Sequence, residues 1–113
     1  MENIKENNKL IAEFMGIQPK MDQPDVYTWN DGVFFTVRED NPEKVMDAIA
    51  KYAKYHSDWN WLMNVLKEID NLEFELPEDS NLYGDITHGL LSFDIEMTYE
   101  AVVEFIKFYN ENK

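Results

Sequence analysis

The centre of the chain reads Tyr55-His56-Ser57-Asp58-Trp59-Asn60-Trp61-Leu62-Met63 and lies between two segments of helical periodicity. Ser57 and Asp58 are typical of a helix start, because a side-chain oxygen there accepts hydrogen bonds from unpaired backbone N–H groups. The i, i+3, i+4 spacing of one helix face is met by Trp59, Leu62, Met63, Leu66 and Ile69. We therefore predict an amphipathic helix that opens at Ser57.

Upstream of this block the sequence predicts a helix and a β-hairpin. Residues 3–15 place apolar side chains on one side at helical spacing, and Gly16 supplies the left-handed residue that commonly ends a helix. Residues 18–25 contain two prolines and are expected to form a loop. The segments Val26–Trp29 and Val33–Val37 are rich in β-branched and aromatic residues, which is typical of paired strands.

Capping residues predict the starts of two further helices, and alternation of apolar and polar residues predicts two further strands. Asn41, followed by a proline, is expected to cap the second helix. Leu72–Leu76 alternates apolar and acidic residues up to a proline, which predicts a half-buried strand. Leu91–Met97 alternates in the same way and is predicted to be a further strand. Thr98 is expected to cap the last helix.

These elements predict an α+β fold in the order α-β-β-α-α-β-β-α, with a mainly antiparallel sheet of about four strands packed with helices. A length of 113 residues corresponds to a single domain, residues 1–113, and a hydrophobic content of 44% is sufficient for a core. The chain has no cysteine, which excludes disulfides, thiolate metal sites and cysteine nucleophiles.

Charge and hydropathy limit the classes of partner. The chain opens with polar residues and has no apolar run of the ~20 residues needed to cross a bilayer, so we expect a soluble, cytoplasmic protein without membrane contact. The formal net charge is −13, and residues 68–113 hold 12 acidic residues against 2 basic ones. This charge disfavours direct nucleic-acid binding and favours a basic partner. The other interpretation is that acidity keeps a small protein soluble.

Four carboxylates are candidates for a partner-binding surface. Glu73 and Glu75 alternate with apolar residues on one predicted strand, and Asp94 and Glu96 do so on the next. If both strands belong to one sheet, the four share its polar face, where like charges are destabilising and a basic partner would relieve them. The alternative is a solvated face whose strand register keeps the charges apart.

Two aromatic residues are the candidates for exposed interface anchors. Trp29 lies close to the predicted hairpin tip, and Tyr83 lies in a predicted loop over residues 78–85. Most other aromatic residues fall at core spacing.

An enzymatic alternative is a metal-dependent hydrolase that uses His56, Asp58 and His88, since imidazole and carboxylate groups bind metals and transfer protons. However, Asp58 is already explained by the helix start, and the chain has no nucleophile elbow and no phosphate-binding glycine loop. We therefore predict no catalytic, metal-binding or cofactor-binding residues and no cofactor.

Three blocks carry a resemblance: Tyr55–Met63 with the following Val65–Ile69, Asn8–Gly16, and Thr98–Asn110. Together they resemble a family of small uncharacterised proteins common in phages and prophages of Bacteroidetes bacteria. The layout is also distantly similar to phage α-β-α sandwich domains. The resemblance implies an accessory protein of a mobile element and brings no catalytic residues with it.

The sequence thus predicts a phage- or prophage-type accessory protein that acts as a non-enzymatic protein-binding module, with a basic host protein as the expected partner. The alternative is an acidic decoy that imitates nucleic acid and inhibits a host protein that binds DNA or RNA.

Overall fold

The computed structural model describes residues 3–30, 34–72, 76 and 80–112 and confirms an α+β fold. In chain order the elements are α1 (Ile4–Phe14), β1 (Lys20–Gln23), β2 (Val26–Asn30), β3 (Phe34–Arg38), a single 3-10 turn (Pro42–Lys44), α2 (Val45–Tyr52), α3 (Trp59–Asn71), α4 (Leu82–Leu91) and α5 (Ile95–Asn112). The chain divides into two compact units, Met1–Lys54 and Tyr55–Lys113. The single-domain prediction stays a prediction.

The first unit contains an antiparallel sheet in the order β1-β2-β3. The pairing of the two predicted strands is confirmed by β2 and β3, in which the paired residues Tyr27 and Val37 are both buried. The predicted turn between them, at residues 31–33, lies outside the described residues. The predicted loop over residues 18–25 is wrong for β1, which pairs with β2 despite having no β-branched residue. Pairing with an aromatic, β-branched neighbour provides the stabilisation that the local sequence of β1 lacks. Asp25 links the two strands at a φ of 66°.

In the first unit α1 ends as the sequence predicts, whereas Asn41 caps the 3-10 turn and not α2, which begins at Val45. The amide of Ile17 donates to the carbonyl of Ala12 at 3.2 Å, and Gly16 ends α1 with a φ of 67°. The side chain of Asn41 accepts a hydrogen bond from the Glu43 amide. α1 packs against α2. Inside the unit the fully buried Asn8 donates its Nδ2 to the carbonyl of Ala53 at 3.1 Å, so a paired polar group links α1 to the end of α2.

In the second unit, α3 is capped one residue later than predicted. Asp58 is the cap, because its Oδ1 accepts from the Asn60 amide at 2.8 Å, and Ser57 lies outside the helix. Met63, which the predicted face included, is 44% exposed. The residues of α3 that are buried are Trp61, Leu62, Val65, Leu66 and Ile69. The Trp61 ring meets the Tyr55 ring edge-on, with 5.1 Å between their centroids.

The predicted strand over Leu91–Met97 is wrong, because this segment ends α4 and begins α5. The two helices pack closely at Gly89, where an added Cβ would lie 2.6 Å from the Thr98 Oγ1 and 2.9 Å from the Thr98 Cα. Asp94 caps α5, because its Oδ1 accepts from the Met97 amide at 3.0 Å. Thr98 is therefore not the cap: it is fully buried inside α5 and donates its hydroxyl to the Asp94 carbonyl.

The described residues give one three-stranded sheet and the order α-β-β-β-α-α-α-α, so the predicted four strands and their order are not confirmed. The predicted strand Leu72–Leu76 has its centre at residues 73–75, outside the described residues. The predicted loop over residues 78–85 is wrong from Leu82 onward, where α4 begins. In the described part of the chain, no helix has both the length and the apolar character required to cross a membrane.

Candidate protein-interaction surface

The predicted site residues do not form the carboxylate-lined strand face that the sequence suggested. Glu73 and Glu75 lie outside the described residues, as does the side chain of Trp29, whose backbone belongs to β2. Asp94 precedes α5 and Glu96 lies in its first turn, and both are exposed. A shared strand face is therefore wrong for Asp94 and Glu96, because the segment that carries them turns into a helix.

The α4–α5 hairpin exposes large apolar side chains. Leu91 is 75% exposed, Phe93 87%, Tyr83 40% and Met97 38%. Tyr83 lies in the first turn of α4 and not in a loop, and its ring centroid is 5.2 Å from that of Phe105, so the ring is half packed and half open to solvent. Exposed apolar side chains that gather on one part of a protein mark interaction sites more often than single ones do. Where exposure is described, the remaining exposed large apolar residues are Met21, Tyr52 and Met63.

Phe93 is held in a strained backbone conformation at the turn between α4 and α5. Its φ is 54°, its amide donates to the Leu90 carbonyl at 3.1 Å, and the Asp94 amide donates to the Gly89 carbonyl at 3.2 Å. This is the Schellman motif, whose left-handed residue is usually glycine, and α1 ends in the same motif at Gly16. A residue with a side chain in this left-handed conformation lowers the free energy of unfolding by roughly 1–2 kcal/mol relative to the right-handed conformation. The turn therefore presents an aromatic ring to solvent at a position where glycine would be more stable.

A groove of about 260 Å³ on the same two helices is acidic. Its lining includes three carboxylates, Asp85 from α4 and Glu100 and Glu104 from α5, together with His88. Lys107 approaches Glu104 at 3.8 Å, an exposed pair that contributes little. Residues 55–113 hold 13 acidic and 3 basic residues, a formal charge of −10. The groove and its surroundings therefore favour cationic side chains.

The histidines do not build the metal site that the enzymatic alternative requires. His56 is partly buried with its ring 6.0 Å from that of Tyr99, and this burial lowers the pKa of His56 and favours the neutral imidazole. Asp58 caps α3, and His88 lines the acidic groove. Among the residues that the structure describes, no group of three or more histidine, aspartate or glutamate side chains is placed to hold a metal ion.

Sequence reasoning missed Leu91, Phe93 and Met97, because an alternating pattern assigned them to the buried side of a strand. The missed signal was Asp94 followed by Glu96, a cap and a first-turn acid that mark a helix start. The arrangement joins exposed apolar rings and chains to carboxylates, which suits a partner surface that is both basic and apolar. Comparison of the chain with protein-family models, with curated proteins and with solved structures finds no match.

Proposed function

We propose that this chain is a cytoplasmic, non-enzymatic accessory protein of the phage or prophage type, and that it binds a basic host protein through the α4–α5 hairpin. The main support for this binding site is Phe93 at the tip of the hairpin. Its side chain is 87% exposed, and its backbone has the left-handed conformation. Strained residues of this kind concentrate at functional sites, where binding compensates for the lost stability.

Phe93 has an apolar neighbour on one side and acidic residues on the other, as expected for an interface residue whose neighbouring charges attract a partner. Leu91 adds a second exposed apolar chain on the α4 side, and Asp94 and Glu96 stand next to the turn on the α5 side. Apolar anchors supply most of the affinity of an interface, and rim charges mainly speed the encounter and select the partner. A partner with an apolar recess bordered by lysine or arginine fits this surface.

The phage or prophage setting rests on the three sequence blocks and not on the shape of the hairpin. One of them, Thr98–Asn110, lies within α5, so the resemblance includes the helix that forms half of the proposed surface. The absence of cysteine agrees with a reducing, intracellular setting.

The second candidate is the acidic decoy, which the charge of −10 over residues 55–113 favours. A decoy binds through many carboxylates that replace phosphates, so its affinity would fall steeply with salt. Binding through Phe93 and Leu91 would persist in high salt, because burial of apolar surface is not screened.

Affinity capture with matched variants tests the proposal. Tagged wild-type protein, Phe93→Gly and Met63→Ala are incubated with a Bacteroidetes host lysate, and bound proteins are quantified by mass spectrometry over a salt series. Met63 is the control because it is a 44% exposed apolar residue on α3, away from the hairpin tip in sequence. We expect a discrete basic protein that wild type and Met63→Ala retain and that Phe93→Gly loses.

Loss of an anchor contact of about 2 kcal/mol corresponds to about thirtyfold weaker binding. Equal capture by wild type and Phe93→Gly would contradict the proposal. Capture that is equal for both and also disappears between low and high salt would favour the decoy instead.

A further inference from the structure

A cavity of about 380 Å³ in the Met1–Lys54 unit gathers cationic side chains in a chain that is otherwise acidic. Its lining includes Lys5 from α1, Arg38 from the end of β3, Lys44 from the 3-10 turn and Lys51 from α2. The whole chain has only 10 lysine and arginine residues against 23 acidic ones, so four cations in one cavity oppose the overall balance. The volume lies within the range of small-molecule sites.

The carboxylates of the same cavity are already engaged. Asp47 accepts a hydrogen bond from the Lys9 ammonium at 3.0 Å, and this bond together with neighbouring lysines lowers the pKa of Asp47. Glu39 accepts a hydrogen bond from the Asn41 amide at 3.2 Å. Within the described part of the chain, no carboxylate forms an ion pair with Lys5, Arg38, Lys44 or Lys51. The lining holds four cations against two carboxylates, so the cavity keeps a net positive charge.

An aromatic face borders these cations. Tyr52 lines the cavity and is 53% exposed, and the Lys51 ammonium lies 5.4 Å from its ring centroid. An exposed ring next to cationic groups provides a stacking surface for a nucleobase beside binding groups for its phosphates.

We propose that this cavity binds a phosphorylated small molecule. The phosphate oxygens accept hydrogen bonds from the four cations, and the planar guanidinium of Arg38 offers two parallel donors that match a phosphate. Tyr52 stacks on the organic part of the ligand where it has an aromatic base. This site lies in the Met1–Lys54 unit and not in the unit that contains the α4–α5 hairpin. Failure of one proposal therefore does not affect the other.

Titration with three probes tests the site and separates its two sources of phosphate. ATP, tripolyphosphate and adenosine are each added to the 113-residue protein, and binding is followed by amide chemical shifts and by calorimetry. We expect ATP to bind with shifts centred on Arg38, Lys44 and Lys51, and we expect adenosine alone not to bind. ATP binding that weakens in Tyr52→Ala identifies a nucleotide site, whereas equal binding of tripolyphosphate and ATP identifies a site for phosphate alone; both support the proposal.

Two double variants with the same change in charge provide the control. Arg38→Gln with Lys51→Gln removes two cavity cations and should weaken ATP binding at least about tenfold, because charged hydrogen bonds are lost. Lys20→Gln with Lys54→Gln removes two cations outside the cavity and should retain binding. No binding of ATP or tripolyphosphate, or equal weakening by both double variants, would overturn the proposal.

Discussion

Replacement of Phe93 by glycine should stabilise the protein while it removes the ring that we propose as an anchor. Because the ring is 87% exposed, its loss forfeits about 0.2–0.4 kcal/mol of the roughly 1.5–3 kcal/mol that full burial provides. Relief of the left-handed strain raises the free energy of unfolding by about 1–2 kcal/mol. The greater freedom of glycine in the unfolded chain lowers it by about 0.5–1 kcal/mol. The net expectation is a gain of about 0.5 kcal/mol over wild type.

Phe93→Ala separates the loss of the ring from the two backbone effects, because alanine also loses the ring but keeps the strained backbone. Phe93→Gly should therefore be more stable than Phe93→Ala by about 0.8 kcal/mol. Equilibrium urea unfolding followed by tryptophan fluorescence measures this difference, since the buried Trp61 reports on the same compact unit. Gly16→Ala is the mirror control: nothing lies within 4 Å of the added Cβ, so the φ of 67° alone should destabilise that variant. If Phe93→Gly is no more stable than Phe93→Ala, the assignment of strain to this turn is wrong.

Three further predictions concern stability. Gly89→Ala should destabilise the protein by about 1–3 kcal/mol, because the new methyl group overlaps the backbone of α5, whereas Gly84→Ala on the open side of α4 should stabilise it by about 0.5–1 kcal/mol. Asn8→Ala should cost about 1–3 kcal/mol in urea unfolding, because it leaves a carbonyl in the first unit without its hydrogen-bond donor. Burial lowers the pKa of His56 below 6.5 in the folded chain, so the unfolded chain gains a proton first as the pH falls. The free energy of unfolding should thus decrease below about pH 6.5 more in wild type and in His88→Gln than in His56→Gln; identical pH profiles for all three would refute this.

Helix ends were predictable where the required residue is chemically specific. Gly16 ends α1 through a left-handed backbone, as expected, and Asn41 supplies a side-chain cap, although to the 3-10 turn that precedes α2. Such signals are local, so they do not depend on distant parts of the chain.

The segment Leu91–Met97 was mispredicted because alternation alone does not distinguish a strand from a helix end followed by a helix start. Asp94 at its centre closes one helix through its amide and opens the next through its carboxylate. The buried contact between Gly89 and Thr98 then fixes the pairing of the two helices, and that contact is tertiary. β1 was missed for the same reason, since its partner strand and not its own sequence determines its conformation.

The sequence predicts that the candidate surface is acidic, but it does not predict that the surface lies at the turn between α4 and α5. The excess of acidic residues toward the end of the chain is plain from composition. The exposure of Phe93 depends on its place at a turn, and a bulky residue with positive φ contradicts ordinary preferences at helix ends. Local rules fail most often at functional sites, and the turn at Phe93 is such a failure.

Site-specific photocrosslinking in host lysate detects the contact that we propose between the α4–α5 turn and a partner protein. The 113-residue protein with Phe93→p-benzoylphenylalanine is irradiated in host lysate, and the same probe at Met63 serves as the control. We predict one dominant adduct at position 93 that excess wild-type protein competes away and excess Phe93→Gly does not. No adduct at position 93, or the same adducts from both positions, would contradict the claim.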